Sequence, residues 1–165
     1  MERILRSAGL VLVLLIVQTT FIPYLAIGGF IPDILMPWLV YTALRRGKIE
    51  AAGYGFGVGL LQDLMTTKFL GLAALSKTIC GFTAGYFVNE NTTEQTLGSY
   101  RYVLLILLCC FIHDVVYFTI FFQGMEGSLV VRVLQFSLAS ALYTGVVSLL
   151  PMFAFSQKYN TSWAQ

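Results

Sequence analysis

Four ionisable residues lie inside long apolar runs of the sequence: Asp63, Lys77, His113 and Asp114. In a membrane helix, each such group costs about 2.5–3.5 kcal/mol on insertion scales, so it faces protein or water and usually has a partner. Carboxylate, ammonium and imidazole groups at one depth could hold helices in register. They could also line a polar cavity, or relay protons.

The depths of these groups coincide if the apolar runs are membrane helices. At 1.5 Å per residue, Asp63 and Asp114 lie about 20 Å and about 21 Å above the inner ends of their helices. Lys77 lies about 10 Å below the outer boundary of a core about 30 Å thick. Asp33 and Arg132 lie near the outer ends of two further helices. We therefore expect one outer polar layer, with an ion pair between Asp63 and Lys77.

We expect His113 or Asp114 to join this layer, but not as a catalytic dyad. Sequence neighbours on a helix point about 100° apart, so the two side chains should not face each other. Cys109 and His113 are four residues apart on one face, as metal ligands can be, and Cys80 would have to supply a third ligand. Because so few ligands are local, we predict no metal site. The layer is either an ion-pair network or the polar floor of an outer cavity or partner groove, with proton or ion transport as a third alternative.

The composition indicates a membrane protein. Of the 165 residues, 58% are hydrophobic and only 11% are charged, and the mean hydropathy is +0.79. An average soluble domain carries about 25% charged residues, and one of this size buries only about 70% of its unfolded surface. The excess apolar surface must face lipid. The net charge of +2 is too small to argue for nucleic acid, and three cysteines within apolar runs do not suggest a disulfide framework.

We predict a single all-α domain over residues 1–165, a bundle of six transmembrane helices. The predicted helices span about 4–22, 32–44, 51–65, 71–88, 100–122 and 129–155. The second helix is short, so it is either partly re-entrant or begins within residues 23–30. Lys and Arg concentrate on the side that holds both termini, which predicts cytoplasmic termini. The residues on that side are Arg3, Arg6, Arg45, Arg46, Lys48, Arg101 and Lys158, against Lys68 and Arg132 on the other.

Small residues recur at four-residue spacing on three of these helices, which lets helix backbones approach closely. The sets are Gly53 with Gly57, Gly55 with Gly59, Gly81 with Gly85, and Ser137 with Ala141 and Gly145. They indicate either internal packing of a compact bundle or a docking face for a partner's transmembrane helix. A nucleotide site is excluded, because no strand precedes the glycines and no Walker lysine follows them.

These motifs together resemble MreD, the rod shape-determining membrane protein family of bacteria. The close resemblance covers about residues 30–90, and the most specific part runs from Gln62-Asp63 to Lys77. The resembling segments are Pro32-Asp33-Ile34-Leu35, Arg45-Arg46-Gly47, Gly57-Val58-Gly59-Leu60-Leu61-Gln62-Asp63-Leu64, Leu70-Gly71-Leu72-Ala73-Ala74-Leu75-Ser76-Lys77-Thr78, Gly81-Phe82 and Ala84-Gly85-Tyr86.

The resemblance implies a non-enzymatic inner-membrane protein of the machinery that builds the lateral peptidoglycan wall. It implies direct association with MreC, a single-span protein, and through it with MreB, RodA and a class B penicillin-binding protein. It also implies a fold similar to the S-components of energy-coupling-factor vitamin transporters. No catalytic residue or cofactor is carried over from the family. We therefore expect a scaffold, and the alternative is a solute-binding S-component with a vitamin-sized ligand in its outer cavity.

Overall fold

The computed structural model describes residues 2–66, 69–87, 93–97, 99–124 and 128–160. Within these ranges the protein is all-α, as predicted, and the only β-type pairing is an isolated bridge between Ile27 and Phe30. The helices are α1 (Glu2–Thr20), α2 (Leu35–Arg46), α3 (Lys48–Thr66), α4 (Leu72–Tyr86), α5 (Thr93–Leu97), α6 (Tyr100–Phe121) and α7 (Leu129–Asn160), with a 3₁₀ turn over Ile22–Leu25.

Six long helices thus stand where six were predicted, with ends shifted by up to five residues. The five-residue helix α5 lies in the polar stretch after α4 and was not predicted. The predicted loop cation Lys68 lies outside the described residues.

The start of α2 is set by a glutamine of α1. Gln18 donates from Nε2 to the Pro32 carbonyl and accepts at Oε1 from the Ile34 N–H, both at 2.9 Å. These bonds satisfy backbone groups of residues 31–34, which would otherwise be unpaired beside a helix. The helix therefore begins at Leu35, and the alternative in which it begins within residues 23–30 is wrong.

Helix α2 lies at the centre of the molecule. Leu39, Val40 and Ala43 are at most 1% exposed, and they pack in one cluster with Cys80 of α4 and Ile106 of α6. A helix that is buried on most of its sides must be apolar on most of its sides, as α2 is. Its basic residues are confined to the last turn, before Gly47.

Helices α3 and α4 form the closest pair in the bundle. A Cβ built on Gly59 would lie 2.5 Å from the Ala73 carbonyl oxygen, and one on Gly81 would lie 2.5 Å from that of Ala51. Cβ atoms added at Gly55 and Gly85 would likewise overlap backbone of the facing helix. The four glycines therefore serve the packing of α3 against α4 within the protein.

Helices α6 and α7 form the second close pair. Ser137 and Ala141 are buried along α7, and a Cβ on Gly145 would overlap the side chain of Leu107 on α6. The small residues of α7 therefore also serve internal packing.

Two helical segments, Tyr100–Phe121 and Leu129–Phe153, are long and apolar enough to cross a membrane, and Gly9–Thr20 is a shorter apolar helix. The outer face of α7 exposes Leu142, Val146 and Leu150 at 61%, 64% and 73%. A continuous exposed apolar face of this kind marks contact with lipid or with another protein.

We predict that Gly59→Ala destabilises the protein, because the added methyl group meets α4 backbone that cannot move aside. Overpacking of this kind costs about 1–3 kcal/mol, so the melting temperature in detergent should fall by several degrees. The matched control is Gly57→Ala, where nothing lies within 4 Å of the new Cβ. Equal melting temperatures for the two variants would contradict the packing described here.

Candidate functional site

The buried ammonium of Lys77 contacts the carboxylate of Asp33, in the segment before α2. The lysine is fully buried on α4. The other carboxylate oxygen of Asp33 accepts the Leu35 N–H at 2.9 Å, and the Asp33 N–H donates to Thr144 Oγ1 at 3.1 Å. A buried charge must be paired and hydrogen-bonded to be tolerated, and this pair meets both conditions. The predicted pair of Asp63 with Lys77 is therefore wrong.

Asp63 instead caps the start of α4. Its carboxylate accepts the backbone N–H groups of Gly71, Ala73 and Ala74 at 2.9, 3.1 and 3.1 Å. The first N–H groups of a helix lack intrahelical partners and carry a partial positive charge, so a carboxylate there is stabilised without a cationic side chain. The residue at the N-cap position is Gly71, which has no side chain to cap the helix. That glycine is the sequence signal that could have indicated this role.

His113 and Asp114 contact each other, contrary to the sequence prediction. The Nδ1–H of His113 donates to Oδ1 of Asp114 at 2.9 Å, and both residues are 7% exposed. Their Cα–Cβ bonds diverge, but rotation about the side-chain bonds brings the polar ends together. The imidazole also stacks on Tyr117, with ring centroids 5.9 Å apart.

These polar groups line one partly open cavity of about 580 Å³. It lies between the C-terminal ends of α1, α3 and α6, the start of α4 and the N-terminal part of α7. Asp33, Asp63, His113 and Asp114 all border it, and Lys77 reaches it only through Asp33. Arg132, which was expected in the same layer, is exposed near the start of α7 and does not line the cavity.

Aromatic side chains form much of the remaining wall of the cavity. Phe136 of α7 is the centre of the group, with ring centroids 5.2 Å from Phe30, 5.5 Å from Phe118 and 5.4 Å from Phe122. Tyr117 continues the wall by stacking on Phe121 at 5.9 Å. The cavity therefore combines acidic residues with an extensive apolar and aromatic wall.

Three atoms of lining residues are buried without a hydrogen-bond partner in the described part of the protein: Gln62 Oε1, His113 Nε2 and Asp114 Oδ2. Such groups are rare in folded proteins, and each one calls for an explanation. Gln62 was not among the residues that the sequence predicted for the polar layer. A glutamine in an apolar run, directly before a buried aspartate, is the signal for it.

The three cysteines are free thiols in the helical core. Cys80, Cys109 and Cys110 are all buried, and Cys80 Sγ lies 3.8 Å from Met36 Sδ. Among the residues whose positions are described, no group of three or more His, Cys, Asp or Glu side chains is placed to hold a metal ion.

We predict that the stabilities of Asp33 and Lys77 variants are coupled and those of Asp63 and Lys77 variants are not. Lys77→Met leaves a buried carboxylate without its partner, which costs about 3–5 kcal/mol. Adding Asp33→Asn should cost less than the sum of the two single changes, whereas Asp63→Asn should be additive with Lys77→Met to within about 0.5 kcal/mol. Denaturant unfolding of the three single and two double variants in detergent micelles measures these free energies, and coupling to Asp63 instead of Asp33 would contradict the geometry.

Residues 3–159 of the 165 match the family model described as rod shape-determining protein MreD. No curated protein and no solved structure matches the chain. The resemblance seen in the motifs is thus confirmed over nearly the whole chain. Members of this family are membrane proteins with a structural, shape-determining role and are not enzymes. The protein belongs to the MreD family.

Proposed function

We propose that this protein is a non-enzymatic scaffold of the cell-elongation machinery in the bacterial inner membrane, and that it acts by binding MreC. The observation that carries the proposal is the family match over residues 3–159. Lateral peptidoglycan synthesis would then depend on it indirectly. Through MreC, the protein would associate indirectly with MreB, RodA and a class B penicillin-binding protein.

The proposal includes a membrane topology in which all six long helices cross the bilayer and both termini are cytoplasmic. Its support is the position of Arg45, Arg46 and Lys48 at the turn between α2 and α3. This turn lies at the end of the bundle away from the polar cavity, and basic residues favour the cytoplasmic side. The proposal also includes a fold similar to that of the S-components of energy-coupling-factor transporters.

The docking face that we propose for the MreC helix is the outer side of α3. The other small-residue sets are occupied, since α3 packs on α4 and α7 packs on α6. Gly53 and Gly57 have nothing within 4 Å of a built Cβ, so their side of α3 is open. Leu64, two turns further along the same face, is 54% exposed. Small residues four apart allow a second helix to approach closely in a membrane.

A second candidate function, that of a solute-binding S-component, is favoured by the 580 Å³ cavity with its polar floor. Identifying the proteins and ligands that co-purify from native membranes distinguishes the scaffold proposal from the transporter proposal. The scaffold proposal expects MreC in the eluate, and the transporter proposal expects an ATPase module with a bound vitamin.

We predict that Gly57→Leu disrupts co-purification of MreC. The larger side chain fills the groove that the partner backbone would occupy, so recovery of MreC should fall about tenfold, which corresponds to about 1.4 kcal/mol. The matched control is Gly9→Leu on α1, where nothing lies within 4 Å of a built Cβ either.

Quantitative immunoblotting of MreC against the tagged protein provides the measurement. Both variants should remain monodisperse with wild-type melting temperatures, because each side chain points into open space. Undiminished recovery of MreC with Gly57→Leu, or equal losses with both variants, would contradict docking on this face.

A further inference from the structure

We infer that the 580 Å³ cavity binds a protonated amine carried on an apolar body, with Asp114 as the residue that recognises the charge. Binding of this kind is a separate property from the docking of a partner helix on α3. It follows from three observations about the same cavity: its unpartnered hydrogen-bond acceptors, the charge of Asp114 and the aromatic side chains of its wall.

The first observation concerns hydrogen bonds. The Nδ1–H of His113 donates to Asp114, so in the neutral imidazole Nε2 is an acceptor. Gln62 Oε1 and Asp114 Oδ2 are acceptors as well, and all three atoms are buried and unpartnered in the described part of the chain. An ammonium group has three donors and no acceptor, so its hydrogen-bonding capacity is complementary to a site that offers acceptors. A carboxylate or phosphate offers only more acceptors.

The second observation concerns charge. The Asp33 carboxylate is neutralised by Lys77, and that of Asp63 is stabilised by N–H groups at the start of α4. The side-chain partner of Asp114 in the structure is His113, whose imidazole carries a positive charge only when both ring nitrogens are protonated. Within the described part of the chain, no lysine or arginine is paired with Asp114, and a buried carboxylate without a cationic partner is costly.

The third observation concerns the wall. Phe136 packs with Phe30, Phe118 and Phe122 along one side, and Tyr117 stacks on His113. Aromatic faces attract cations and also cover apolar groups. The volume lies within the range of about 300–1,000 Å³ that is usual for small-molecule sites. The ligand should therefore carry an apolar group beside its amine.

Two sources could supply this chemistry at the end of a membrane bundle. One is the ammonium headgroup of a lipid such as phosphatidylethanolamine, and the other is a soluble amine. Both carry a primary ammonium group and an apolar part, which in the lipid is the acyl chains beyond the phosphate. The cavity alone does not separate the two sources, but an experiment with both does.

The test uses full-length, delipidated protein reconstituted in phosphatidylglycerol nanodiscs. The probes share one ring and differ in charge: 2-phenylethylamine is a cation, 2-phenylethanol is neutral and phenylacetate is an anion. Thermal unfolding is followed by tryptophan fluorescence. At ten times Kd, the amine should raise Tm by roughly 3–6 °C, and the other two probes should not.

Two cavity variants and one control connect this shift to the proposed groups. Asp114→Asn keeps the side-chain volume but removes the charge, and it should weaken amine binding at least tenfold. Gln62→Leu is placed at a partly exposed position, so it keeps the test decisive if Asp114→Asn fails to fold; it should weaken binding at least threefold. The control Glu50→Gln removes a carboxylate outside the cavity, from the exposed pair with Arg46, and should leave binding unchanged.

A repeat in phosphatidylethanolamine nanodiscs identifies the source. Loss of the amine-induced shift there indicates that the lipid headgroup already occupies the cavity, and a retained shift indicates a soluble ligand. A shift that all three probes produce, no shift with any probe, or an amine shift that survives in both cavity variants would overturn the proposal. Recovery of MreC is measured separately, so failure here leaves the scaffold proposal untouched.

Discussion

The close approach of α3 and α4 is the constraint on which the polar interior depends. With no side chains at Gly55 and Gly59, the two helix backbones come into contact. Because of that contact, Asp63 near the end of α3 reaches the free N–H groups at the start of α4. Asp63 is thereby engaged, and Lys77 pairs instead with Asp33, in the segment before α2. One packing contact therefore determines the partners of three charged residues.

The three carboxylates at this end of the bundle have three different kinds of partner. Asp63 is held by a helix terminus, Asp33 by an ammonium group, and Asp114 by the Nδ1–H of an imidazole. The first two arrangements are complete in themselves and hold helices together. The third leaves buried acceptors on a cavity with aromatic walls. Structural and binding roles can thus coexist in one layer, because each carboxylate has its own kind of partner.

The two proposed surfaces lie on different parts of the molecule. The open face of α3 at Gly53 and Gly57 is directed outward, where a membrane helix could pack. The cavity lies between helix ends and is lined by α6 residues such as His113 and Tyr117. A scaffold that docks a partner by small residues has no need of the polar cavity, and a ligand in the cavity has no need of the α3 face. The two surfaces can therefore be altered independently.

The amino-acid sequence determined the helical class, the positions of the six long helices and the family, because apolar periodicity and motifs are local properties. It also indicated that Asp33, Asp63, His113 and Asp114 lie at similar depth, since rise per residue is constant along a helix. Which of these polar side chains pair with one another was decided by the tertiary structure. Rotation of α4 about its axis, the extended segment held by Gln18, and the side-chain torsions of His113 determine which polar atoms meet. Depth along a helix carries no information about these quantities, because they depend on how separate elements pack against one another.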